Sequence, residues 1–273
     1  MPELPEVETI RSELAPSIIG RRISGVTLCD DRILRCPPAE EFCSRITDRE
    51  ITGLTRRGKY LMFGLDSGDL MVIHLRMTGS LLLEPGSSSD GRFVRAVIHF
   101  DGGTDIVFRD PRKFGVIWLA EDRDSITCRL GPEPLEPDFT AEVLTRRLAK
   151  RTAPVKALLL DQHVVAGIGN MYADEALFAA GIHPLRAGGS LSPAEIKKLH
   201  GAVQRVLRAA IGNKGASVEN YYRPDGTTGT AHFQFQVAHR LGGDTCPVCG
   251  TPIERLAVRN RGSYFCPRCQ PLG

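Results

Sequence analysis

The sequence predicts an α+β fold in several domains, and three observations carry this prediction. Between residues 20 and about 120, short apolar segments rich in β-branched residues alternate with glycine-rich turns, a pattern typical of an antiparallel sandwich or barrel. Beyond residue 139, apolar residues recur at helical spacing. The C-terminal segment 236–273 contains two C-x2-C pairs, which predict a small metal-binding module.

An N-terminal helix precedes the strands. The chain opens MPELPE, and Val7, Ile10 and Leu14 follow at helical spacing. Pro5 suits the first turn of a helix, where its missing N–H would have no partner. We therefore expect a packed amphipathic helix over residues 5–16, which would hold the first residues of the chain in a fixed place.

The strand region is predicted from seven apolar segments. They are RRISGVTL, GKYLMFGL, LMVIHL, SLLLE, FVRAVIHF, DIVF and FGVIWLA. No helix of crossover length is predicted between them, so we do not expect a parallel sheet.

A proline-rich linker, GPEPLEPDF (131–139), separates the strands from the helices. Helical patterns then follow in AEVLTRRLAK, VKALLLDQ, MYADEALFAAG and SPAEIKKLHGAVQRVLRAAIG. Ser192 and Glu195 have the spacing of a capping box, and Gly181 and Gly212 are predicted to end helices. The predicted domains are 2–130, 131–235 with a long loop at 213–235, and 236–273.

The metal signal is specific. Cys246, Cys249, Cys266 and Cys269 form C-x2-C, sixteen residues, C-x2-C, the spacing of a zinc ribbon with one structural Zn²⁺. Disulfides or a redox pair are the alternatives, but disulfides need an oxidising compartment. No signal peptide is recognisable, so we expect a reducing cytoplasm. The four scattered cysteines have no assigned role: Cys29, Cys36, Cys43 and Cys128.

The composition limits the classes of function. The 273 residues have a net charge of +3, and no apolar stretch approaches the roughly 18 residues of a membrane span. Arginine accounts for 28 of the 35 basic residues. Arginine is the better phosphate ligand, although a GC-rich genome produces the same bias.

Several short motifs place basic or apolar side chains beside turns. Between the cysteine pairs, Arg259 and Arg261 are predicted to alternate on one strand of a hairpin and to face phosphates; a solvated face is the alternative. In VVAGIGNMYADEAL, Asn170 is predicted to cap a helix. In HLRMTG and RDPRKFG, Met77 and Phe114 suit insertion between bases, although such side chains are more often core residues.

The first residues suggest a nucleophile. Removal of Met1 would leave Pro2 as a secondary amine, and an α-amine has a pKa near 8, against about 10.4 for lysine. Such an amine can form an imine or iminium with a sugar aldehyde. Glu3 is adjacent and could transfer protons. Lys59 lies at the predicted start of a strand, where a lysine is usually solvated.

Taken together, the motifs resemble the bacterial formamidopyrimidine-DNA glycosylase family over almost the whole chain. The matching motifs are MPELPEVET, RRGKYL, HLRMTGSL, DPRKFG, LGPEPL, GIGNMYADEALFAAGIHP and RGSYFCPRCQ, in family order. The resemblance implies an N-terminal antiparallel β-sandwich with an N-terminal helix, a helix–two-turn–helix domain and a C-terminal zinc-ribbon finger.

The resemblance also implies an activity and its residues. The enzyme would excise oxidised purines from duplex DNA through a Schiff base on the N-terminal proline and nick the strand by β,δ-elimination. The implied catalytic residues are Pro2, Glu3, Lys59 and Arg261. The implied residues that fill the gap left by the extruded nucleotide are Met77, Arg112 and Phe114. The implied DNA-backbone contacts are Arg92, Arg151 and Asn170.

One position departs from the family pattern. Glu219 falls near a position where many relatives carry a basic residue, on the loop implied to cover the extruded base, which leaves the lesion preference open. Leu4 and the DPRKFG loop favour the purine-repair branch. The alternatives are an endonuclease VIII-like lyase for oxidised pyrimidines or abasic sites, and a non-catalytic zinc-ribbon protein that binds damaged DNA. We expect a monomeric, cytoplasmic, nucleoid-associated bacterial protein with damaged duplex DNA as its partner and no membrane contact.

Overall fold

The structure is a computed structural model that describes residues 1–86, 91–218, 220–239 and 244–272. The chain forms two compact units: Met1–Arg129 with Asn213–His232 (unit 1), and Leu130–Gly212 with Phe233–Gly273 (unit 2). The segment 213–232, which the sequence groups with the helices, thus clusters with the strands. The predicted three-domain division stays a prediction.

Two sheets form the body of unit 1. The strands are β1 (Ile23–Leu28), β2 (Leu34–Cys36), β3 (Ile51–Arg57), β4 (Tyr60–Leu65), β5 (Leu70–His74), β6 (Ser80–Pro85), β7 (Val94–Phe100), β8 (Thr104–Arg109) and β9 (Val116–Ala120). One sheet has the order β1-β7-β8-β6 and the other β2-β9-β5-β4-β3. The predicted antiparallel character is confirmed except at one edge, where β2 runs parallel to β9. β2 is too short for its pairing to be visible in the sequence pattern.

One apolar core lies between the two sheets. Alternate residues of β7 from residue 96 onward (Ala96, Ile98, Phe100) belong to this core, as the two-residue period of a strand requires. Further core residues come from β4, β5, β8 and β9 and from the helices. Unit 1 is therefore built as two sheets around a shared apolar core.

The N-terminal helix is confirmed as α1 (Leu4–Ile18). Glu3 and Glu6 form a capping box at its start, and Val7, Ile10 and Leu14 are buried. Two further helices of unit 1, α2 (Ala39–Ile46) and α3 (Asp124–Thr127), are not predicted. Both are short, so they contain few repeats of the helical period.

Unit 2 contains the helices and the cysteine module. Its elements are α4 (Ala141–Leu148), α5 (Val155–Leu159), α6 (Asn170–Ala180), α7 (Pro193–Gly212), β10 (Glu254–Val258) and β11 (Arg261–Phe265). The predicted hairpin is confirmed as β10–β11. Ser192 and Glu195 cap α7 reciprocally, and Gly181 ends α6 in the left-handed conformation. Within the described ranges, no helix is long and apolar enough to cross a membrane.

The prediction that Asn170 caps α6 is wrong. The helix begins at Asn170 itself, and Gly169 occupies the N-cap position. The Asn170 side chain is used elsewhere, because its Nδ2 donates to the carbonyl of Gly262, 2.9 Å away.

Candidate functional site

The first residues of the chain are held in place. Pro2 is buried, and Glu3 is 1 % exposed. The backbone N–H of Glu3 donates to Oε2 of Glu6 at 2.8 Å. The start of α1 is therefore ordered by its own capping box, and the neighbouring residue Pro2 has a defined position.

Helix α1 packs against the β3–β4 hairpin, whose turn contains Lys59. An ion pair of 2.9 Å between Glu8 Oε2 and Arg56 Nε joins the helix to β3. Lys59 is only 6 % exposed. The expectation that Lys59 is solvated is therefore wrong. Helix α1, which directly follows Pro2 and Glu3, packs on the hairpin that carries this lysine.

His74 ends β5, beside the HLRMTG turn. Its Nδ1 accepts the backbone N–H of Arg76 at 3.0 Å, and its ring forms a T-shaped contact with the ring of Tyr60. Burial lowers the pKa of His74 to about 3, with further lowering from the charges of Arg76 and Lys59. The imidazole is therefore a neutral hydrogen-bond acceptor at physiological pH.

The HLRMTG turn is tight and needs glycine at its end. The N–H of Gly79 donates to the Leu75 carbonyl at 3.0 Å, and a Cβ on Gly79 would lie 2.5 Å from that oxygen. Arg76 adopts a left-handed φ of 56°. The turn leaves Met77 half-buried at the surface of unit 1.

The RDPRKFG loop is organised by one carboxylate. Asp110 is fully buried and accepts the backbone N–H groups of Phe114 and Gly115, each at 2.7 Å, and of Arg112 at 3.2 Å. The Thr78 hydroxyl also donates to it. Asp110 therefore joins this loop to the turn that carries Met77.

Residues 111–114 of the loop lie outside the core, Arg112 and Phe114 among them. Phe114 is 49 % exposed, and the Arg112 guanidinium lies 4.7 Å from its ring centroid. Arg92 is exposed too and stacks on Phe93 at 4.6 Å. The reading of Phe114 as a core residue is therefore wrong, because the loop directs this aromatic side chain outward.

In unit 2, a buried polar cluster fixes the hairpin to the helices. Lys156 and Asp174 are almost completely buried and form an ion pair of 2.7 Å. Lys156 Nζ also donates to Ser263 Oγ at 2.7 Å and to the Gly262 carbonyl at 3.1 Å. Asn170 donates to the same carbonyl. These contacts position the residues directly after Arg261.

The charge state of this cluster depends on burial. Burial raises the pKa of Asp174 to about 7, while the ammonium of Lys156 and the backbone N–H of Tyr264 oppose that rise. A buried carboxylate of this kind needs its partner in order to stay ionised. The pair is not suggested by any sequence motif, and the sequence analysis missed it.

Arg261 is exposed at the first position of β11, and Arg151 is exposed just after α4. The prediction that Arg259 and Arg261 alternate on one strand is wrong. Arg259 and Asn260 form the hairpin turn, both with left-handed φ values of 47° and 59°. The two arginines therefore belong to different parts of the hairpin.

The four C-terminal cysteines form one cluster, and their Sγ atoms lie within 4.8 Å of one another. The Cys246–Cys269 and Cys249–Cys266 sulfur distances are 3.8 and 3.4 Å. A tetrahedral zinc with Zn–S bonds of about 2.3 Å requires sulfurs about 3.8 Å apart. The donor set therefore fits zinc, and the module has one structural zinc site.

The connection to the zinc module is held by Glu175. This carboxylate accepts the backbone N–H groups of Gln236, Val237 and Ala238 at 2.8–3.0 Å. Val237 packs with Cys246 and Cys266 in the small core of the module. Sequence reasoning missed Glu175, because a buried acid on a helix has no local signature.

The loop at 213–232 forms one wall of a cavity in unit 1. The cavity has a volume of about 520 Å³. Asn220, Tyr222 and Gly226 line it from the loop side, and Thr78 and Arg109 from the strand side. Glu219, which the sequence analysis expects to depart from the family pattern, lies outside the described residues.

The chain is similar to known proteins along almost its whole length. Family models match for the formamidopyrimidine-DNA glycosylase N-terminal domain at residues 1–117, the formamidopyrimidine-DNA glycosylase H2TH domain at 130–221, and the zinc finger found in FPG and IleRS at 243–272. The formamidopyrimidine-DNA glycosylase of Chloroflexus aurantiacus is 45% identical over 272 residues, 99% of this chain and 98% of that protein.

Two solved structures are similar throughout. An FPG variant from Lactococcus lactis, in complex with Fapy-dG containing DNA, superimposes with a TM-score of 0.93 at 34% identity, covering 99% of this chain and 100% of that one. The MutM (FPG) protein of Thermus thermophilus superimposes with a TM-score of 0.90 at 40% identity, covering both chains completely.

Proposed function

The chain belongs to the formamidopyrimidine-DNA glycosylase family, and we propose that it excises oxidised purines such as 8-oxoguanine and formamidopyrimidines from duplex DNA and then nicks the strand. The full-length match to glycosylases of this name supports a DNA glycosylase of base-excision repair. The complex of the Lactococcus lactis relative with Fapy-dG containing DNA supports a damaged duplex as the ligand.

The observation that carries the proposal is the ordered N-terminus. Pro2 is fixed beside the capping box of α1, so removal of Met1 would leave a secondary amine in a defined position. This amine attacks C1′ of the damaged nucleotide, and the bond between C1′ and the base breaks. Glu3 protonates the ring oxygen O4′ as the sugar opens, which leaves an iminium between Pro2 and C1′.

The iminium then enables strand scission. It withdraws electrons from the sugar, so a C2′ proton is lost and the 3′ phosphate leaves by β-elimination. A second elimination releases the 5′ phosphate, and water frees the sugar fragment from Pro2. We assign Lys59 to catalytic assistance and phosphate contact, and Arg261 to phosphate binding during δ-elimination.

The exposed side chains of the two turns are proposed to replace the extruded nucleotide. An enzyme cannot reach C1′ inside a stacked duplex, so the nucleotide must rotate out. Arg112 and Phe114 are exposed and Met77 is half-buried, and the Thr78–Asp110 contact joins their two turns. We propose that these three side chains fill the gap. Arg92, Arg151 and Asn170 are proposed backbone contacts, and the 213–235 loop is proposed to cover the extruded base.

A lesion panel tests the proposal. Duplexes with 8-oxoguanine, thymine glycol or a preformed abasic site are incubated with the protein, with and without borohydride. We expect cleavage of 8-oxoguanine duplex to exceed that of thymine glycol duplex, and borohydride to trap a covalent adduct. A preference for thymine glycol would indicate the oxidised-pyrimidine activity instead, and binding without scission would indicate a non-catalytic protein. We further propose a monomer that acts at the bacterial nucleoid.

A further inference from the structure

The loop at 213–232 is attached to α1 near the start of that helix. Glu6 Oε1 accepts the buried backbone N–H of Ala216 at 2.8 Å. Gly215 has a φ of 77°, and a Cβ there would lie 2.9 Å from Glu6 Cγ. Tyr221 is 5 % exposed and belongs to the core of unit 1. The first half of the loop is therefore fixed beside the helix turn that carries Glu3.

A second attachment lies seven residues further along the helix. Glu13 accepts Nε of Arg223 at 3.1 Å on both carboxylate oxygens, and Nη2 of Arg223 at 2.8 Å on Oε1. The two side chains are only 18 % and 24 % exposed. Lys214 Nζ lies 3.7 Å from the same carboxylate. Two-point pairing of this kind fixes orientation as well as distance.

Arg223 also organises the tip of the loop. Its Nη1 donates to Thr227 Oγ1 at 2.9 Å, and its backbone carbonyl accepts the N–H of Gly226 at 2.9 Å. The carbonyl of Pro224 accepts the N–H of Leu83 on β6 at 2.8 Å. The turn 223–227 is thus held together by hydrogen bonds, and the guanidinium of Arg223 connects this turn to α1.

The position of the turn 223–227 determines where one wall of the cavity described above lies. Tyr222 and Gly226 line the cavity; Tyr222 directly precedes Arg223, and Gly226 belongs to the turn that Arg223 holds. Glu13 and Arg223 do not line the cavity themselves. A change in their ion pair would therefore move the wall without removing any group from it.

We propose that Glu13 and Arg223 are positioning residues that set the selectivity of the enzyme for a base-bearing lesion over an abasic site. This inference rests on the proposed function, in which the loop covers the extruded base. An abasic site offers no base for the loop to contact. Glu3 is held by the capping box of α1, which involves neither Glu13 nor Arg223, so nicking of an abasic site does not require the pair.

The test compares two substrates in single-turnover kinetics. Glu13→Gln and Arg223→Gln should each lower the rate constant for 8-oxoguanine excision about tenfold, while nicking of a matched preformed abasic site stays within about twofold. The charge-exchanged double variant Glu13→Arg/Arg223→Glu should recover most of the selectivity. Glu41→Gln is the control, because it breaks an exposed ion pair of unit 1 with Arg45 far from this loop in sequence.

Hydrogen exchange gives a second readout that does not depend on activity. Amides of 214–218 and 220–227 should exchange faster in both single variants, while those of α1 keep their protection. Unchanged selectivity in both variants, or equal loss on both substrates, would overturn the positioning role. A wild-type protein that cleaves neither substrate would overturn the proposed function instead, and the exchange experiment would still decide whether the ion pair holds the loop.

Discussion

Two arginine-bearing turns of the molecule, the RDPRKFG loop and the zinc hairpin, are built in different ways. The RDPRKFG loop of unit 1 lies on a large apolar core and is shaped by one buried carboxylate, Asp110, that accepts backbone N–H groups. The zinc hairpin of unit 2 has only a small core around Val237 and Ile253. It depends on four cysteines and on a buried ion pair. Both arrangements present an arginine outward, but only the second needs a metal and a buried ion pair to do so.

Removal of zinc should produce the largest difference in stability between the two turns. Structural zinc sites contribute about 10–16 kcal/mol of apparent folding free energy, and the small core of the hairpin cannot replace it. Chelation, or Cys266→Ser, should unfold residues 244–272 and weaken DNA binding at least about tenfold, while the sandwich keeps its protection against hydrogen exchange. Cys128→Ser, at an exposed free cysteine, is the control. Intact hairpin protection after chelation would contradict this account.

The buried ion pair should have the next largest effect. Lys156→Met leaves Asp174 buried without its partner, and such losses cost about 3–5 kcal/mol. Urea unfolding and hydrogen exchange of β11 measure the change. The double variant Lys156→Met/Asp174→Leu should be more stable than the single variant, because no uncompensated charge remains. Additive losses would show that the pair stabilises the fold through separate contacts.

A smaller effect is expected at Asp110. Asp110→Asn replaces an acceptor of two short backbone hydrogen bonds by a group with one oxygen and one donor, which should cost about 2–3 kcal/mol. Denaturant unfolding of unit 1 measures this change. Asp122→Asn is the matched control, because that exposed carboxylate accepts a single backbone N–H, from Ser125, and should change stability by less than about 1 kcal/mol. Equal losses of stability at both positions would contradict the claim that Asp110 organises the RDPRKFG loop.

The stability of unit 1 should change gradually with pH because of His74. The folded pKa of His74 is about 3, below its ordinary value of 6.5, so the unfolded chain binds the extra proton first. The stability due to neutral His74 is present above pH 6.5 and is lost as the pH falls toward 3, by up to about 1.4 kcal/mol per pH unit. The stability difference between the wild type and His74→Gln should shrink over this range. A constant difference would contradict the assignment.

Elements with a strong local pattern could be predicted from the sequence. The helix α1, the alternating strands, the capping box at Ser192 and the zinc cysteines all have signatures within a few residues. Three other kinds of contact have none: the parallel pairing of β2 with β9, the buried groups Lys156–Asp174 and Glu175, and the half-buried pair Glu13–Arg223. They join residues between 18 and 210 positions apart, and only the folded chain brings these residues together. The place of Arg259 in a turn was missed because hairpin register depends on backbone φ.

The N-terminal amine is the central claim, and peptide mapping of the borohydride-trapped complex tests it most directly. After reaction with an 8-oxoguanine duplex and tryptic digestion, mass spectrometry should find the reduced sugar remnant on the N-terminal peptide PELPEVETIR, attached to the nitrogen of Pro2. Attachment at Lys59, or full activity in preparations whose chains retain Met1, would contradict the account.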